Sequence, residues 1–349
     1  MLFFQAMKVV VIGGTGFIGT HVVRALLRRN TDVVLFTRSD IDGLFSEERV
    51  YHIHGDKEDI IQYRKVFRML EPDVVIDMIS FTFQDAWNTL QAFEDAKPRM
   101  VGISSSDVYR AYEYFRSPKA DQLEPLPLKE SAPYRETLYP YRYLNNPRIW
   151  DYDKIPVEAL YQNAFERRNT ILRLSAVYGP GDRQLRLKEP ISRILDGRRF
   201  ILLNEAEADW RWTWGYVENV AEAIAQAALS PKAEGKIYNI GEERAHSVYE
   251  WVVRIANAMD WKLEVVKTNA KFLPNYQKQP FNYRQHLIMD TSSLREDIGF
   301  SEPIGSAEAI EKTIEYQRWY FSKDKKPIPW DYRLEDKLYH KAYKYKFMV

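Results

Sequence analysis

Residues 7–19 read Met7-Lys8-Val9-Val10-Val11-Ile12-Gly13-Gly14-Thr15-Gly16-Phe17-Ile18-Gly19, an apolar strand-like run that breaks into glycines and continues with a helical pattern. The glycines satisfy both G-x-x-G-x-x-G and G-x-G-x-x-G spacing. Such spacing lets the backbone turn tightly after a strand, approach phosphates without a Cβ and pack a helix onto the sheet. The N-terminus of the helix then offers free N–H groups and a positive dipole to an anion. The stretch therefore predicts a dinucleotide site that consists of Gly13, Gly16, Phe17, Ile18 and Gly19.

The segment that follows the glycines strengthens this prediction. Residues 17–29 place Val22, Val23, Leu26 and Leu27 on one helical face, as a helix that packs onto a sheet requires. A glycine-rich turn alone also occurs in loops that bind no ligand. The strand before the turn and the helix after it favour the cofactor interpretation.

Composition limits the other classes of function. The chain has 349 residues, 50 basic against 49 acidic side chains and no cysteine. The balanced charge gives no reason to expect nucleic acid or an anionic membrane as partner. The absence of cysteine excludes disulfides, thiolate nucleophiles and cysteine-ligated metals, and the six histidines lack metal-ligand spacing, so no metal site is predicted.

Targeting and membrane signals are missing from the chain. Residues 1–6 are apolar but have neither a basic region nor a small-residue cleavage site. No uninterrupted apolar run reaches about 18 residues, the minimum for a transmembrane helix. The sequence therefore predicts a cytoplasmic protein without a signal peptide.

Strand-like and helical patterns alternate along the first half of the chain. Strand-like runs lie at residues 33–36, 50–54, 74–76 and 100–103, with helical patterns between them. This alternation predicts a Rossmann-type, doubly wound parallel α/β sheet. We expect residues 1–180 to form the NAD(P)-binding domain, 181–322 mainly a smaller C-terminal substrate lobe, and 323–349 a basic and aromatic tail.

One long interruption separates the strand near residue 103 from the helix that starts near Asp153. Periodicity is lost over residues 110–151, which are rich in Pro and Tyr. Loops of this length are usually functional or disordered, and the aromatic content favours an ordered one. We expect a lid in which Tyr141, Arg142 and Tyr143 face the substrate cleft.

Five motifs in this order resemble those of the extended short-chain dehydrogenases/reductases. They are the glycine stretch, Gly55-Asp56, Ile103-Ser104-Ser105-Ser106-Asp107-Val108-Tyr109, Lys154 with Glu158, and Arg173 with Val177-Tyr178-Gly179-Pro180-Gly181. More narrowly, residues 7–316 resemble the NAD-dependent epimerase/dehydratase family, which acts on sugar nucleotides. The resemblance implies an epimerase, reductase or dehydratase that moves a hydride at a nucleotide sugar or similar polyol, and it does not specify the substrate.

Cofactor choice depends on the end of the second strand. An acidic residue there accepts hydrogen bonds from the ribose of NAD, whereas a basic residue pairs with the 2′-phosphate of NADP. This chain has Thr37 at the acidic position, followed by Arg38, which favours NADP(H). Alternatively, Arg38 stacks on adenine or faces water, and Ser39 and Asp40 accommodate NAD. Asp56 matches the family position that contacts adenine, although such a residue is also an ordinary helix cap.

The resemblance also implies three catalytic groups beside the nicotinamide. A hydroxyl orients the sugar oxygen, a tyrosine exchanges a proton, and a lysine lowers the tyrosine pKa and holds the nicotinamide ribose. Ser105 matches the hydroxyl position, although it could instead satisfy backbone groups at the strand end. Lys154 matches the lysine, and only the motif order distinguishes it from a solvated helical lysine.

The tyrosine departs from the pattern. Four residues before Lys154 stands Trp150, whose indole has no proton to exchange at neutral pH. The nearby Tyr152 lies only two residues before Lys154, and positions i and i+2 point to different sides of a helix. Because Pro156 is tolerated only in a first turn, a helix start near Asp153 would leave Tyr152 outside the helix and able to reach the site.

A second interpretation stays open. The usual tyrosine chemistry is then lost, and another acid or base acts, with Asp107 as the candidate. Otherwise the protein binds a dinucleotide without turning it over and serves as a regulatory, RNA-binding or protein-binding member of the family.

Substrate residues are predicted from their position in the motifs. Arg211 is one residue out of the spacing of the family's diphosphate-binding arginine, and Arg284 could form a second clamp, because guanidinium groups pair bidentately with phosphate. Tyr178 and Arg183 follow the motif near the nicotinamide. The tail alternates Lys and Tyr, which could bind a single strand, but its interspersed acidic residues favour packing on the surface or across a subunit interface. A homodimer is compatible with the sequence.

Overall fold

A parallel sheet forms the centre of the molecule. The computed structural model describes residues 7–45, 50–323 and 330–346. Within these ranges, seven parallel strands are ordered β10-β6-β5-β4-β1-β2-β3. The strands are β1 Lys8–Ile12, β2 Asp32–Thr37, β3 Val50–His54, β4 Val74–Asp77, β5 Arg99–Ser105, β6 Thr170–Leu174, β7 Ala176–Tyr178, β8 Phe200–Asn204, β9 Trp214–Tyr216, β10 Ile237–Ile240 and β11 Glu264–Thr268.

Helices cover both faces of this sheet. Their bounds are α1 Phe17–Leu27, α2 Arg64–Leu70, α3 Phe83–Ala92, α4 Arg110–Arg116, α5 Lys154–Asn163, α6 Lys188–Leu195, α7 Glu205–Ala208, α8 Val217–Leu229, α9 Val248–Ala258, α10 Ser292–Ile298, α11 Ser306–Lys323 and α12 Tyr332–Lys346. None of the described helices is long and apolar enough to cross a membrane. The doubly wound Rossmann-type architecture expected from the sequence is confirmed.

Alternating residues of the central strands fill two separate cores. Val9 and Val11 face a core that includes α1 and α8, whereas Val10 and Ile12 face one that includes α3 and α5. Strands buried on both faces read as continuous apolar runs, which is why these segments were recognisable from sequence. Because all seven strands are parallel, their carboxyl ends meet at one edge, where ligands bind in such folds.

The second region is smaller and shares elements with the first. Two short parallel pairs, β7 with β9 and β8 with β11, lie outside the central sheet. However, α8 packs against α1, and β10 pairs with β6 in the central sheet. The range 181–322 was expected to form mainly a substrate lobe. It therefore also contributes helix α8 and strand β10 to the Rossmann-type domain.

The aperiodic range 110–151 begins with a helix that the sequence did not predict. In α4, Ala111, Tyr112 and Phe115 are buried, and Phe115 stacks on Trp210 with ring centroids 4.6 Å apart. A two-turn helix with three buried positions is too short to give a recognisable period. The helix therefore ties the start of the long segment to the smaller region.

The described part of the tail packs on the surface, as the sequence favoured. In α12, Glu335 accepts a hydrogen bond from buried Arg193 at 2.6 Å and another from Tyr276 at 2.5 Å. Tyr339 stacks on Phe200 with centroids 4.2 Å apart. The basic and aromatic positions Lys344, Tyr345 and Lys346 of the tail, and residues 324–329, lie outside the described side chains.

Candidate functional site

The glycine turn connects β1 to α1 at the carboxyl edge of the sheet. Gly13 has φ +82°, a conformation that favours glycine. A Cβ on Gly19 would lie 2.6 Å from the carbonyl oxygen of Gly13, so close packing of helix and turn requires a glycine there. A Cβ on Gly16 would have only that oxygen within 4 Å, at 3.8 Å. The turn therefore leaves open space beside the helix start.

This open space suits a phosphate group. Gly16 is the N-cap of α1 and supplies no side-chain hydrogen bond to the first turn, which includes Phe17, Ile18 and Gly19. The N–H groups of a first helical turn are donors without intrahelical partners, and the helix dipole favours an anion there. The residues present therefore fit the pyrophosphate of a dinucleotide.

Arg38 and Asp56 lie together at the ends of β2 and β3. The Arg38 guanidinium is 3.4 Å from the Asp56 carboxylate, and the Arg38 side chain is 76% exposed. Asp56 also accepts a hydrogen bond from the backbone N–H of Glu58, and this bond first, then Arg38, lowers the pKa of Asp56. Arg38 is therefore an exposed cation at the side of the cleft where the adenosine half of a dinucleotide would lie.

Four polar side chains meet beyond β5, two strands away from the glycine turn. Ser105 ends β5 and accepts a hydrogen bond from the backbone N–H of Asp107 at 3.2 Å. Tyr141, from the long segment, donates to Asp107 Oδ2 at 2.8 Å. The ring of Tyr152 lies 5.2 Å from that of Tyr141. The structure therefore brings Ser105, Asp107, Tyr141 and Tyr152 into one group, which we call the Asp107 cluster.

Asp107 lies at the centre of the Asp107 cluster. The residue is buried, and its Oδ1 atom has no hydrogen-bond partner among the described residues. Leaving a buried carboxylate oxygen without a donor costs free energy, so such an atom in a cleft needs an explanation. A ligand hydroxyl would satisfy it.

Tyr152 lies outside the helix, as the open alternative from the sequence required. Helix α5 starts at Lys154, and Asp153 caps it by accepting from the Ile155 N–H at 3.0 Å. Burial raises the pKa of Tyr152 well above its usual value, the charge of Asp107 raises it further, and the Ser105 hydroxyl acts in the opposite direction. Tyr152 is therefore protonated at neutral pH and is a proton donor rather than a phenolate.

Lys154 lies below this cluster and is held by two backbone carbonyl groups. Its Nζ atom donates to the carbonyl oxygens of Ser80 and Ile103, and it lies 4.9 Å from the ring centre of Phe81. Burial lowers the pKa of Lys154 to about 8. Its ammonium is 6.0 Å from the ring centre of Tyr152.

The four substrate candidates lie in three different places. Tyr178 is buried, and its hydroxyl donates to Glu242 at 2.8 Å, away from the Asp107 cluster. Arg183 is exposed beside Gly16 and Phe17. Neither residue therefore touches the Asp107 cluster.

The two remaining arginines belong to the smaller region. Arg211 donates to Glu250 at 2.8 Å and to the Ala245 carbonyl, so it is already paired. Arg284 is exposed. The structure thus does not bring Arg211 and Arg284 together with the Asp107 cluster as one clamp.

Two groups of site residues were missed from sequence. Arg116 of α4 donates to the Tyr141 hydroxyl at 2.9 Å and lies 4.7 Å from its ring centre, so it orients Tyr141 toward Asp107. Lys57 and Asp77 form a buried ion pair at 2.8 Å beneath the site. Neither has a motif, because each depends on a contact between segments far apart in sequence.

The fold and the site define a dinucleotide-binding protein of the Rossmann type. The chain belongs to the NAD dependent epimerase/dehydratase family, whose model matches residues 9–241. A dTDP-glucose 4,6-dehydratase 1 of Escherichia coli (strain K12) is 22% identical, with coverage of 91% of this chain and 94% of that protein. A chloroplast stem-loop binding protein of 41 kDa b from Arabidopsis thaliana is also 22% identical, over 91% of this chain and 81% of that protein.

A solved structure supports the same fold. The dTDP-glucose 4,6-dehydratase of Bacillus anthracis str. Ames in complex with NAD has a TM-score of 0.64 and 14% identity, covering 92% of this chain and 99% of that one. The family resemblance expected from the five motifs is therefore confirmed, and the family is NAD-dependent.

Proposed function

We propose that this protein is an NAD(P)-dependent enzyme that acts on a nucleotide sugar or a similar polyol, as an epimerase, reductase or dehydratase. The observation that carries the proposal is the Asp107 cluster at the carboxyl edge of the sheet. A buried carboxylate with an unpartnered oxygen lies beside a protonated tyrosine, at a distance of two strands from a glycine turn that fits a pyrophosphate. Carbohydrate oxidation and reduction require a proton donor and acceptor beside the cofactor.

The chain's own residues supply proton transfer and orientation. Asp107 Oδ1 accepts the proton of a sugar hydroxyl, and Tyr152 donates a proton to a sugar oxygen from its high-pKa phenol. Ser105 hydrogen-bonds the sugar oxygen that receives the Tyr152 proton and so fixes its position. Bound NAD(P) supplies the acceptor or donor of hydride.

This assignment differs from the pattern implied by the resemblance. There the tyrosine ionises with help from the lysine, whereas here the Lys154 ammonium donates to two backbone carbonyls and Asp107 raises the Tyr152 pKa. Lys154 therefore positions the backbone between β4 and β5. Its third N–H is left to bind a ribose hydroxyl.

We further propose that the cofactor is NADP(H). Arg38 is exposed at the end of β2 and, among the residues that the structure describes, contacts one carboxylate, Asp56, at 3.4 Å. A 2′-phosphate would pair with the guanidinium in a bidentate manner. Thr37, buried where NAD enzymes place an acidic residue, gives the ribose of NAD no carboxylate.

Arg183 is the strongest candidate for contact with an anionic part of the ligand, because it is exposed near the glycine turn. Arg211 would have to leave Glu250 before it could bind a diphosphate. We therefore propose Arg211 and Arg284 only as residues at the edge of the substrate site that change position when the substrate binds.

A second candidate is a dinucleotide-binding protein without turnover, which contacts RNA or another protein. Two observations favour it, namely the high pKa of Tyr152 and the engagement of Lys154 by carbonyls. One relative of similar identity is a stem-loop binding protein.

We propose a homodimer that pairs through the faces of α3 and α5. Phe83 and Trp87 are 45% and 44% exposed on α3, with nearly parallel rings 6.3 Å apart, beside a groove of about 630 Å³. Exposed aromatic patches of this kind mark interaction surfaces. Trp87→Glu should convert a dimer to a monomer in sedimentation equilibrium, and a wild-type protein that sediments as a monomer would contradict this assembly.

Turnover of a nucleotide-sugar panel tests the catalytic proposal. Asp107→Asn should lower turnover by at least about 100-fold while dinucleotide affinity stays within about twofold. The matched control is Tyr51→Phe, because Tyr51 is 62% exposed on β3, at the edge of the sheet and three strands further from β5 than β4 is. Tight dinucleotide binding with no turnover of any sugar in the wild type would support the second candidate.

A further inference from the structure

A cleft runs along the outer side of α1, toward α11. Its near end lies at the glycine turn, where Thr15, Gly16 and Phe17 line it, and its far end is lined by Thr20, His21 and Arg24 of α1. The two ends together have a volume of about 900 Å³, within the range of small-molecule sites. Tyr316 and Trp319 of α11 form the opposite wall, with ring centroids 5.8 Å apart. We call this the α1–α11 cleft.

Positive charge dominates the α1–α11 cleft. Arg24, Arg183 and Lys323 line it, and no carboxylate does so among the described residues. None of the three cations forms an ion pair or side-chain hydrogen bond within the part of the chain that the structure describes. Unpaired cations that converge on one cavity attract an anion, and arginine pairs with phosphate in a bidentate manner.

The same cleft offers a flat aromatic surface. Trp319 is 56% exposed, although a residue of its size is usually buried where it has no ligand or partner to contact. Stacking of a nucleobase on an exposed aromatic ring is worth about 1–3 kcal/mol. The cations of this cavity match the phosphate of a nucleotide, and the indole of Trp319 matches its base.

The far end of the α1–α11 cleft lies away from the path of the dinucleotide. A dinucleotide crosses the carboxyl edge of the sheet and touches α1 only at its first turn. Arg24 follows Gly16 by eight residues, which places it about 12 Å along the helix axis at 1.5 Å per residue. Arg24 and Trp319 are therefore not explained by the cofactor.

We propose that the far end of the α1–α11 cleft, beyond the glycine turn, is a second nucleotide site, in which a base stacks on Trp319 and the phosphate pairs with Arg24 and Lys323. His21 contacts this site in its neutral form, since burial lowers its pKa. The ligand is a phosphorylated nucleoside, either free or as part of a single strand. The site does not depend on the catalytic proposal.

Calorimetric titration of the full chain with AMP, at saturating NADP(H), tests this site. We expect one AMP per chain, with affinity lowered at least tenfold in Trp319→Ala and in Arg24→Ala. Adenosine and inorganic phosphate alone should each bind more weakly than AMP. Arg318→Ala is the matched control, because Arg318 is exposed on α11 and does not line the cleft.

Failure of this proposal and failure of dinucleotide binding are separable. Arg38→Ala should change NADP(H) affinity and leave AMP affinity unchanged. Absence of AMP binding at saturating NADP(H), or equal AMP affinity in Arg24→Ala and Arg318→Ala, would overturn the second site.

A single-stranded oligoadenylate identifies the source of the nucleotide. Tighter binding of the strand than of AMP, lost in Trp319→Ala, would assign the site to single-stranded nucleic acid. Tighter binding of AMP would assign it to a free nucleotide. A duplex that binds as well as the strand and is insensitive to Trp319→Ala would contradict stacking.

Discussion

The two halves of the candidate site differ in how the chain builds them. The cofactor half consists of one turn between β1 and α1, in which Gly13, Gly16 and Gly19 lie within seven residues. The catalytic half combines the end of β5, Tyr141 from the long segment and Tyr152 from the residues before α5. A local turn can be recognised from sequence spacing, whereas a cluster of distant segments requires tertiary structure.

The largest effect should come from blocking the local half. Gly16→Trp should fold, because a Cβ there meets only the Gly13 oxygen at 3.8 Å and the backbone has φ −78°. Its indole would occupy the phosphate position, so dinucleotide binding by calorimetry should be lost. Gly19→Ala is the contrasting variant.

In Gly19→Ala the new Cβ would lie 2.6 Å from a backbone oxygen, so the melting temperature should fall. If Gly16→Trp bound the dinucleotide with wild-type affinity, the pyrophosphate would not lie at this turn.

The next effect concerns Lys154, which links the two halves. Its pKa is about 8 in the folded protein against 10.5 for the ordinary lysine, so between these pH values the unfolded chain binds more protons. The free energy of unfolding therefore gains a contribution on the order of 1–3 kcal/mol as pH rises from 8 to 10.5. Denaturant unfolding at several pH values should show this rise in wild type and its loss in Lys154→Met. Parallel pH curves for the two proteins would show that Lys154 titrates normally.

Arg38 gives a smaller, selective effect. Arg38→Ala should weaken NADP(H) about 10–100-fold, the loss of a charge-assisted contact, and leave NAD(H) nearly unchanged. Fluorescence titration with both cofactors measures the ratio. Equal losses for both cofactors would remove Arg38 from the 2′-phosphate, and tighter NAD binding by the wild type would reverse the preference.

The smallest expected effect concerns the catalytic half of the site. We expect saturating cofactor and nucleotide sugar to slow hydrogen exchange in residues 135–145, which contain Tyr141, because closure over Asp107 would protect their amides. Exchange measured by mass spectrometry with and without ligand tests this. Unchanged protection would make the segment a fixed cover instead of a lid.

Particular elements show how much of the fold and of the site could be predicted from the sequence. Apolar runs buried on both faces predicted the central strands, and Pro156 correctly indicated a helix start that leaves Tyr152 outside α5. Helix α4 was missed because two turns give no readable period. Arg116 and the Lys57–Asp77 pair were missed because their partners are remote in sequence, and burial of the Tyr178 hydroxyl on Glu242 depends on packing that no motif encodes.

Turnover of Tyr152→Phe, with cofactor affinity determined on the same preparation, tests the central claim most directly. If the Tyr152 hydroxyl donates the proton, turnover on the true substrate should fall at least about 100-fold while dinucleotide affinity stays nearly intact. Trp150→Phe, at a position 41% exposed, should alter substrate affinity more than rate. Full activity in Tyr152→Phe would contradict the account and leave Asp107 as the proton-transfer group without Tyr152.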